Sequence, residues 1–460
     1  MQPPNHFPAI RRRMLLPLLL LAAGLSARGA VTPDAMPLPD VPAAVAGATR
    51  AKYVFLFIGD GMGANQRLLA ELTLNGAKPP APPAYRKLLM NRLPVTGLVN
   101  THSADSWITD SAAAGTAIAC GKKTANYVIA MDAAGKVPFD SLADAAQARG
   151  MRVGLATTAP LNDATPAVFY AHASNRSKLA DIAKQAAASS IAFFGGRFKE
   201  CDDKECLKEF RGAWFRPEKT EADRTQPYSV DRSGGDTPPL ADITAAGIRA
   251  LDNANGFFFM VEGGKIDWAC HSNDAAGTAG DVLALDQAVA LAVEFYGKHP
   301  AETLILVTAD HETGGLTLGR AETGYSIHPK FIAGQKASAV GLTKKVQGWR
   351  AAKKSFPEAL TALRSEWLDP GALAADETKA LTKTYNEGQS AGEPGKESGL
   401  DPFAVACIKL AARRAGITWG SGNHTAAPVP VTAIGAGQNQ FTGWMDNTEL
   451  SAKIRALLAG

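Results

Sequence analysis

The sequence predicts an α/β protein: a three-layer sandwich with a central, mostly parallel sheet, helices on both faces, and an inserted cap- or crown-like region. Three observations lead there. Apolar runs at Tyr53–Ile58, Phe257–Val261 and Thr303–Thr308 show no polar alternation, the pattern of strands covered on both faces, as in a parallel sheet. Helical patterns separate these runs, and strand–helix alternation supplies the crossovers that parallel pairing needs. The 460 residues, 46% hydrophobic and 20% charged, are ordinary globular material and suffice for one large domain or two smaller ones.

Taken in order, the chain opens with Arg11, Arg12 and Arg13, an apolar run from Met14 to Ala23, and small residues around Ala27 to Ala30. A basic region, a short apolar core and a small-residue exit read as a secretory signal peptide over residues 1–30, with an uncleaved anchor as the alternative. The run is short for a bilayer span, and no second run able to span one is read after it. An exported, periplasmic or secreted protein without stable membrane insertion is expected. Residues 31–50, rich in Pro and Ala, read as a linker, and residues 51–460 as the folded domain.

The first strand stops at Gly59 and leaves Asp60 in a turn with Gly61 and Gly63. Ligands bind at the C-terminal edge of open α/β sheets, and such glycines leave room for a ligand or a metal. Residues 64–93 read as helix or loop, with a Pro cluster at 79–83. Val95–Asn100 reads as a short strand leading to residues 105–121. There Asp110 precedes Ser111, and small residues run on to Gly121: a helix with Ser111 at its N-terminus and Gly121 just past its end. That terminus offers unpaired N–H groups and partial positive charge, which suit phosphate, although a plain N-cap accounts for the same two residues.

Ser141–Arg149 reads as an amphipathic helix closed by Gly150, and Arg152–Thr158 as a strand leading to Asp163, Thr165 and Arg176. Residues 177–255 carry a helix, a short strand near Ile191–Phe194, a charged loop with Cys201 and Cys206, and a Pro/Gly-marked linker at 233–239. In an exported protein those two cysteines are expected to pair; Cys120, Cys270 and Cys407 lie in apolar settings and read as buried thiols. The next apolar run ends at Glu262, with glycines, Asp267, Trp268 and His271 beyond. Asp281–Tyr296 reads as a helix, and the strand after it ends at Asp310 and His311, before Gly314 and Gly315. Residues 320–415 are Lys-rich, without a strong buried strand, with a flexible loop at Gly388–Gly399 and a helix at Phe403–Arg414; they read as an insertion on one face of the sheet. A loop at Gly420–His424 precedes a late strand, Val429–Gly435, and a helix at Asn447–Leu458 closes the chain.

Polar residues thus recur beside glycines at strand ends: Asp60, Ser111, Asp163, Thr165, Arg176, Glu262, Asp267, His271, Asp310, His311 and His424. Carboxylates gathered at one sheet edge repel one another unless cations neutralise them. His with Asp favours zinc; Asp, Glu and Thr without His favour magnesium. A formal charge of +4 with no dense basic stripe after the N-terminus predicts no nucleic-acid partner.

In the order and spacing of Phe-Ile-Gly-Asp60-Gly-Met-Gly, Thr-Asp-Ser111-Ala-Ala, Asp163-Ala-Thr165-Pro-Ala with Arg176, Val-Glu262-Gly-Gly-Lys-Ile-Asp267-Trp-Ala-Cys-His271, Thr-Ala-Asp310-His311-Glu-Thr-Gly-Gly and Gly-Asn-His424-Thr, the chain resembles the alkaline phosphatases. The resemblance spans residues 52–450 and is least over 320–415. It implies one zinc held by Asp267, His271 and His424, and a second by Asp60, Asp310 and His311 with Ser111 as an exchangeable ligand. It implies a magnesium held by Asp60, Thr165 and Glu262, with Asp163 hydrogen-bonded to that metal's waters. Arg176 would grip the phosphoryl oxygens as a bidentate fork. Ser111 would attack a small-molecule phosphate monoester, and water would then hydrolyse the phosphoserine.

Trp268 stands where some relatives carry Lys or His near the phosphate, and Asp163 at a position that also varies, so the third metal is the least determined; wall packing explains Trp268 as well. Ser111, Thr165 and Glu262 argue against a phosphodiesterase or nucleotide pyrophosphatase of the same superfamily. No Cys-x-Pro-x-Arg motif marks a sulfatase. A non-catalytic phosphate- or metal-binding relative is the remaining alternative, though every matched ligand is present. Many relatives are dimers, so a homodimer is compatible with the resemblance.

Overall fold

The computed structural model describes residues 33, 36–76, 80, 84–200, 208, 210–217, 225–232, 239–388 and 399–459. The expected signal peptide, the Cys201–Cys206 pair, most of the 233–239 linker and most of the Gly388–Gly399 loop lie outside them.

The strands, in chain order, are β1 (Tyr53–Ile58), β2 (Val95–Asn100), β3 (Arg152–Pro160), β4 (Phe193–Arg197), β5 (Ala213–Phe215), β6 (Phe257–Glu262), β7 (Thr303–Thr308), β8 (Glu312–Thr313), β9 (Leu316–Leu318), β10 (Ile417–Trp419), β11 (His424–Thr425), β12 (Val429–Gly435) and β13 (Gly443–Asp446). Nine of them form one sheet in the order β13-β2-β12-β7-β1-β6-β3-β4-β5. Only β12 runs against its neighbours; every other pair in the sheet is parallel. The unalternated runs explain this: all six residues of β1, of β6 and of β7 are buried, because helices cover both faces. Near the edge, β2 alternates between buried and exposed positions.

One helical layer holds Ala64–Asn75, Leu240–Leu251 and Ala275–Lys298; the other holds Ser111–Cys120, Leu142–Gln147 and Asn447–Ala459. The helix read at 281–296 in fact begins at Ala275, where Asp274 caps it by accepting from Gly277 N at 3.1 Å. Its first turns are Ala, Gly and Thr, which carry no apolar period. This helix is long and apolar enough to cross a membrane, which corrects the sequence reading on that point. However, 78% of the apolar window is buried inside the protein, and the helix packs on β1 and β7 as a core helix.

Among the described residues of 320–415 there is no strand of the main sheet. The helices Ala339–Ala351, Phe356–Glu366, Ala375–Glu387 and Pro402–Ala415 enclose a second apolar cluster around Trp349, Leu363, Trp367 and Phe403, joined by Tyr228 and Ala269 from the main body. Cys120, Cys270 and Cys407 are buried free thiols.

Parallel pairing brings the C-terminal ends of β1, β3, β6 and β7 to one edge, with Ile58 level with both Glu262 and Thr308, and Thr157 level with Glu262. The reversed β12 begins at that same edge, since Val429 pairs with Val99 and Thr432 with Val307. His424 therefore reaches the site from the start of a strand, whereas the acids reach it from strand ends.

Trp367 is 1% exposed, and its indole N–H donates to Ala337 O at 2.8 Å. Trp367→Ala should lower stability by about 3–5 kcal/mol in urea denaturation; a loss under about 1 kcal/mol would contradict the close packing of this layer.

Candidate active site

The Ser111 helix is capped as its sequence predicts. Asp110 Oδ1 accepts from Ala113 N at 3.0 Å, and Gly121 closes the helix in the left-handed region at φ 70°. Capping and function coincide in Asp110, because its Oδ2 also takes Arg176 Nη1 at 3.1 Å. The other arm of that guanidinium, Nη2, donates to Asp163 Oδ1 at 2.7 Å. Asp163 itself caps the short helix that carries Thr165. Arg176 is thus braced by two carboxylates at the mouth of the helix, its side chain 26% exposed.

Ser111 Oγ lies 3.2 Å from His311 Nε2. The same nitrogen is 3.4 Å from Asp60 Oδ1 and 3.2 Å from Asp310 Oδ2. Both of those carboxylate oxygens are buried without a hydrogen-bond partner, as is Thr165 Oγ1. The turn after β1 makes this crowding feasible. Gly61, at φ 69°, donates its N–H to Asp310 Oδ1 at 3.1 Å. A Cβ there would fall 2.7 Å from Thr313 Oγ1 and 2.9 Å from Asp267 Oδ1, so no other residue fits.

Asp267 and His271 lie on the helix Lys265–His271, with His271 Nε2 3.2 Å from Asp267 Oδ2 and 3.2 Å from His424 Nε2. His424 Nε2 is 3.7 Å from Asp267 Oδ1.

The tautomers of these rings follow from their other nitrogens. His271 Nδ1 faces Gly422 O at 2.6 Å, and His424 Nδ1 faces Thr109 O at 2.8 Å. A carbonyl only accepts, so both Nδ1 atoms carry the proton. Thr313 Oγ1 donates to Asp267 Oδ1 at 2.5 Å, so His311 Nδ1, 3.2 Å away, donates to Thr313. Nε2 is then the atom each ring can offer to a cation in the space shared with buried carboxylates; without a cation, His271 Nε2 pairs with Asp267 Oδ2. Two groups, Asp60–Asp310–His311 and Asp267–His311–His424, each bring their ligand atoms within 4.8 Å of one another. This donor set fits divalent cations and fits little else.

A family model described as alkaline phosphatase matches residues 51–193 and 221–459. The chain belongs to the alkaline phosphatase family. It is 32% identical over 435 residues to alkaline phosphatase 4 of Bacillus subtilis (strain 168), covering 88% of each chain. The cold-active alkaline phosphatase of the psychrophile Shewanella sp. is similar in structure, with a TM-score of 0.74 and 27% identity over 88% of this chain and 99% of that one. Thermus thermophilus alkaline phosphatase matches with a TM-score of 0.71 and 27% identity, over 89% and 92% of the two chains. Alkaline phosphatases are metal-dependent enzymes acting on small phosphate monoesters, and the chain is an enzyme of this class. The stretch expected to resemble the family least, 320–415, lies inside the match; the interruption falls at 194–220.

In this alkaline phosphatase the unmet charge distorts proton affinities. Burial, then repulsion by Asp163 and Asp310, pushes Glu262 up to about 8, against the hydrogen bond it accepts from Thr157 Oγ1. Burial and then Asp267 push Asp310 up to about 7. Burial, followed by Asp310 and Asp267, holds Asp60 well above the carboxylate range. Burial also pulls His311 well below the usual imidazole value. For Asp267 burial acts upward, but the three imidazoles, His271 foremost, outweigh it and hold the acid below its ordinary value. Burial acts against the charge on Arg176, and Asp163 and Asp110 outweigh it.

Trp268 stands on the Lys265–His271 helix, half-buried, with Lys265 Nζ 4.5 Å from its ring centroid, and it packs on the second apolar cluster. Sequence reasoning overlooked Thr157, Glu312 and Thr313, and the grip of Asp110 on Arg176. Glu312 and Thr313 follow His311 directly in the Asp-His-Glu-Thr-Gly-Gly segment, whose glycines were the available sign of close approach.

Above about pH 7.5 an unfolded His binds little proton, and unfolded carboxyls are already ionised. The folded, metal-free chain still holds protons on Glu262, pushed up to about 8, and to a lesser extent on Asp310, pushed up to about 7. It therefore binds more protons than the unfolded chain, and its stability falls as pH rises. Thermal unfolding of chelator-stripped protein between about pH 7.5 and about pH 8.5 should show a falling Tm; a flat or rising Tm would contradict the crowding of these acids.

Proposed function

We propose that the chain is an exported alkaline phosphatase that hydrolyses phosphate monoesters through a phosphoserine at Ser111, with two zinc ions and one magnesium. The observation that carries this reading is the meeting of Ser111 Oγ, His311 Nε2 and the partnerless oxygens of Asp60 and Asp310 in one buried space. Asp267, His271 and His424 would hold one zinc; Asp60, Asp310, His311 and Ser111 the other. Asp60, Thr165 and Glu262 would hold the magnesium, with Asp163 on its waters. Bound there, such cations neutralise the acids, lower the pKa of an attacking oxygen and stabilise the leaving one.

The chain's own groups do the rest. The Ser111 hydroxyl stands at the first turn of its helix, where backbone N–H groups and the helix dipole favour a phosphoryl anion. The serine oxygen bonds to phosphorus as the ester oxygen departs and leaves as the alcohol. Water then breaks the serine–phosphorus bond and releases phosphate. Arg176 carries N–H groups beyond the two engaged by Asp110 and Asp163, and these face the charge that spreads over the phosphoryl oxygens in the transition state. Asp110 and Asp163 fix the plane of that guanidinium, so its orientation costs little when substrate binds. Trp268, beside Asp267 in the chain, would form a neighbouring wall of the site. Export rests on the Arg-rich, apolar N-terminal segment alone, and a homodimer remains compatible with the family.

Chelator treatment should abolish hydrolysis of p-nitrophenyl phosphate, and zinc with magnesium should restore it. The bis(p-nitrophenyl) ester should be a far poorer substrate; preference for the diester would contradict the reading. Ser111→Ala should lower kcat on the order of 10³-fold or more while zinc content, measured by elemental analysis, stays at the wild-type level. Retained turnover in Ser111→Ala would remove the phosphoserine.

A further inference from the structure

Glu312 directly follows His311 in the chain and belongs to neither cation-facing group. It is 5% exposed. Its Oε1 accepts from Gln66 Nε2 at 2.6 Å and from Leu316 N at 3.2 Å; its Oε2 accepts from Gly315 N at 3.1 Å and from Thr425 Oγ1. The donors come from three separate segments. Gln66 is on the helix Ala64–Asn75 that leaves the Asp60 turn. Gly315 and Leu316 end the loop that Asp310 and His311 begin. Thr425 directly follows His424, and in the β8–β11 pair Thr425 stands opposite Glu312 and His424 opposite Thr313.

The Asp60 turn is built around this side chain: a Cβ on Gly63 would lie 2.5 Å from Glu312 Cγ. Gln66 Nε2 adds a second link, to Thr313 O at 2.8 Å.

We infer that Glu312 is the positioning residue of the metal site, one buried carboxylate whose four donors hold the Asp60, His311 and His424 segments in register. The inference rests on the reading of those residues as metal ligands. A carboxylate accepting four hydrogen bonds in low dielectric makes strong, directional contacts. Partners one layer behind metal ligands typically change metal affinity about 10–100-fold when mutated. Glu312→Gln keeps the shape but turns one acceptor into an NH₂ group facing donors, so up to two of the four contacts become repulsive.

The experiment compares wild type, Glu312→Gln and Thr425→Val, each stripped and reloaded. Zinc affinity is read by chelator competition, ligand geometry by the visible spectrum of the cobalt(II)-substituted protein, and folding by thermal unfolding of the metal-free form. Glu312→Gln should bind zinc about 10–100-fold more weakly and shift the cobalt spectrum, with kcat reduced and KM little changed. Its metal-free form should melt below the wild type, because buried donors lose their acceptor, so zinc affinity is compared at a temperature where both are folded. Thr425→Val, which deletes one donor on the His424 side, should show a smaller loss in the same direction.

Wild-type zinc affinity and an unchanged cobalt spectrum in Glu312→Gln overturn the inference. If that variant does not fold, Thr425→Val decides: weakened zinc binding supports the positioning role, and wild-type affinity overturns it. A wild type that binds no zinc overturns the metal-site reading, and the inference falls with it.

Discussion

Unbalanced electron pairs at one edge of a sheet are the constraint on which the rest of this structure depends. Three imidazoles spend their Nδ1 protons on Gly422 O, Thr109 O and Thr313 Oγ1, and so turn their Nε2 atoms inward, toward the carboxylates. Asp60 and Asp310 add oxygens that no protein donor meets. An arrangement of this kind is costly in a buried, low-dielectric setting unless a cation sits among the donors. Two of the carboxyls, Asp310 and Glu262, respond by holding protons to about 7 and about 8. Metal binding would therefore displace protons.

The fold delivers these groups by two devices. Parallel strands carry Asp60, Glu262 and Asp310 to a common edge, as the register of Ile58 with Glu262 and Thr308 requires. The single reversed strand, β12, then brings in His424 from its leading end. Glycines at 61 and 63 let the Asp60 turn lie against Asp267, Thr313 and Glu312, where any side chain would collide. Ser111 comes from the opposite helical layer, on a helix of mostly small residues that is buried throughout. Its cap, Asp110, doubles as one arm of the brace on Arg176, so the helix terminus and the Arg176 guanidinium are set by one carboxylate.

Much of this was legible in the residues. Unalternated runs such as Tyr53–Ile58 reveal doubly covered strands because burial on both faces leaves no polar position. Asp110, Ser111 and Gly121 mark helix ends because capping chemistry is local. Within the described residues, each candidate ligand lies at or beside the site edge. What stayed hidden depended on long-range contact. The reversal of β12 leaves no local mark, since Val429–Gly435 is buried throughout, like the parallel strands β1, β6 and β7. Glu312 reads as one more acid after His311 until Gln66 and Thr425, distant in the chain, are seen to converge on it. The true start of the 275–298 helix was missed because Ala and Gly carry no apolar period.

The central claim is that cations sit among these donors, and anomalous diffraction at the zinc edge from crystals of metal-loaded protein tests it most directly. The account predicts two strong peaks within coordinating distance, one beside Asp267, His271 and His424 and one beside Asp60, Asp310, His311 and Ser111. Absence of peaks there, or peaks confined to other parts of the surface, would contradict it.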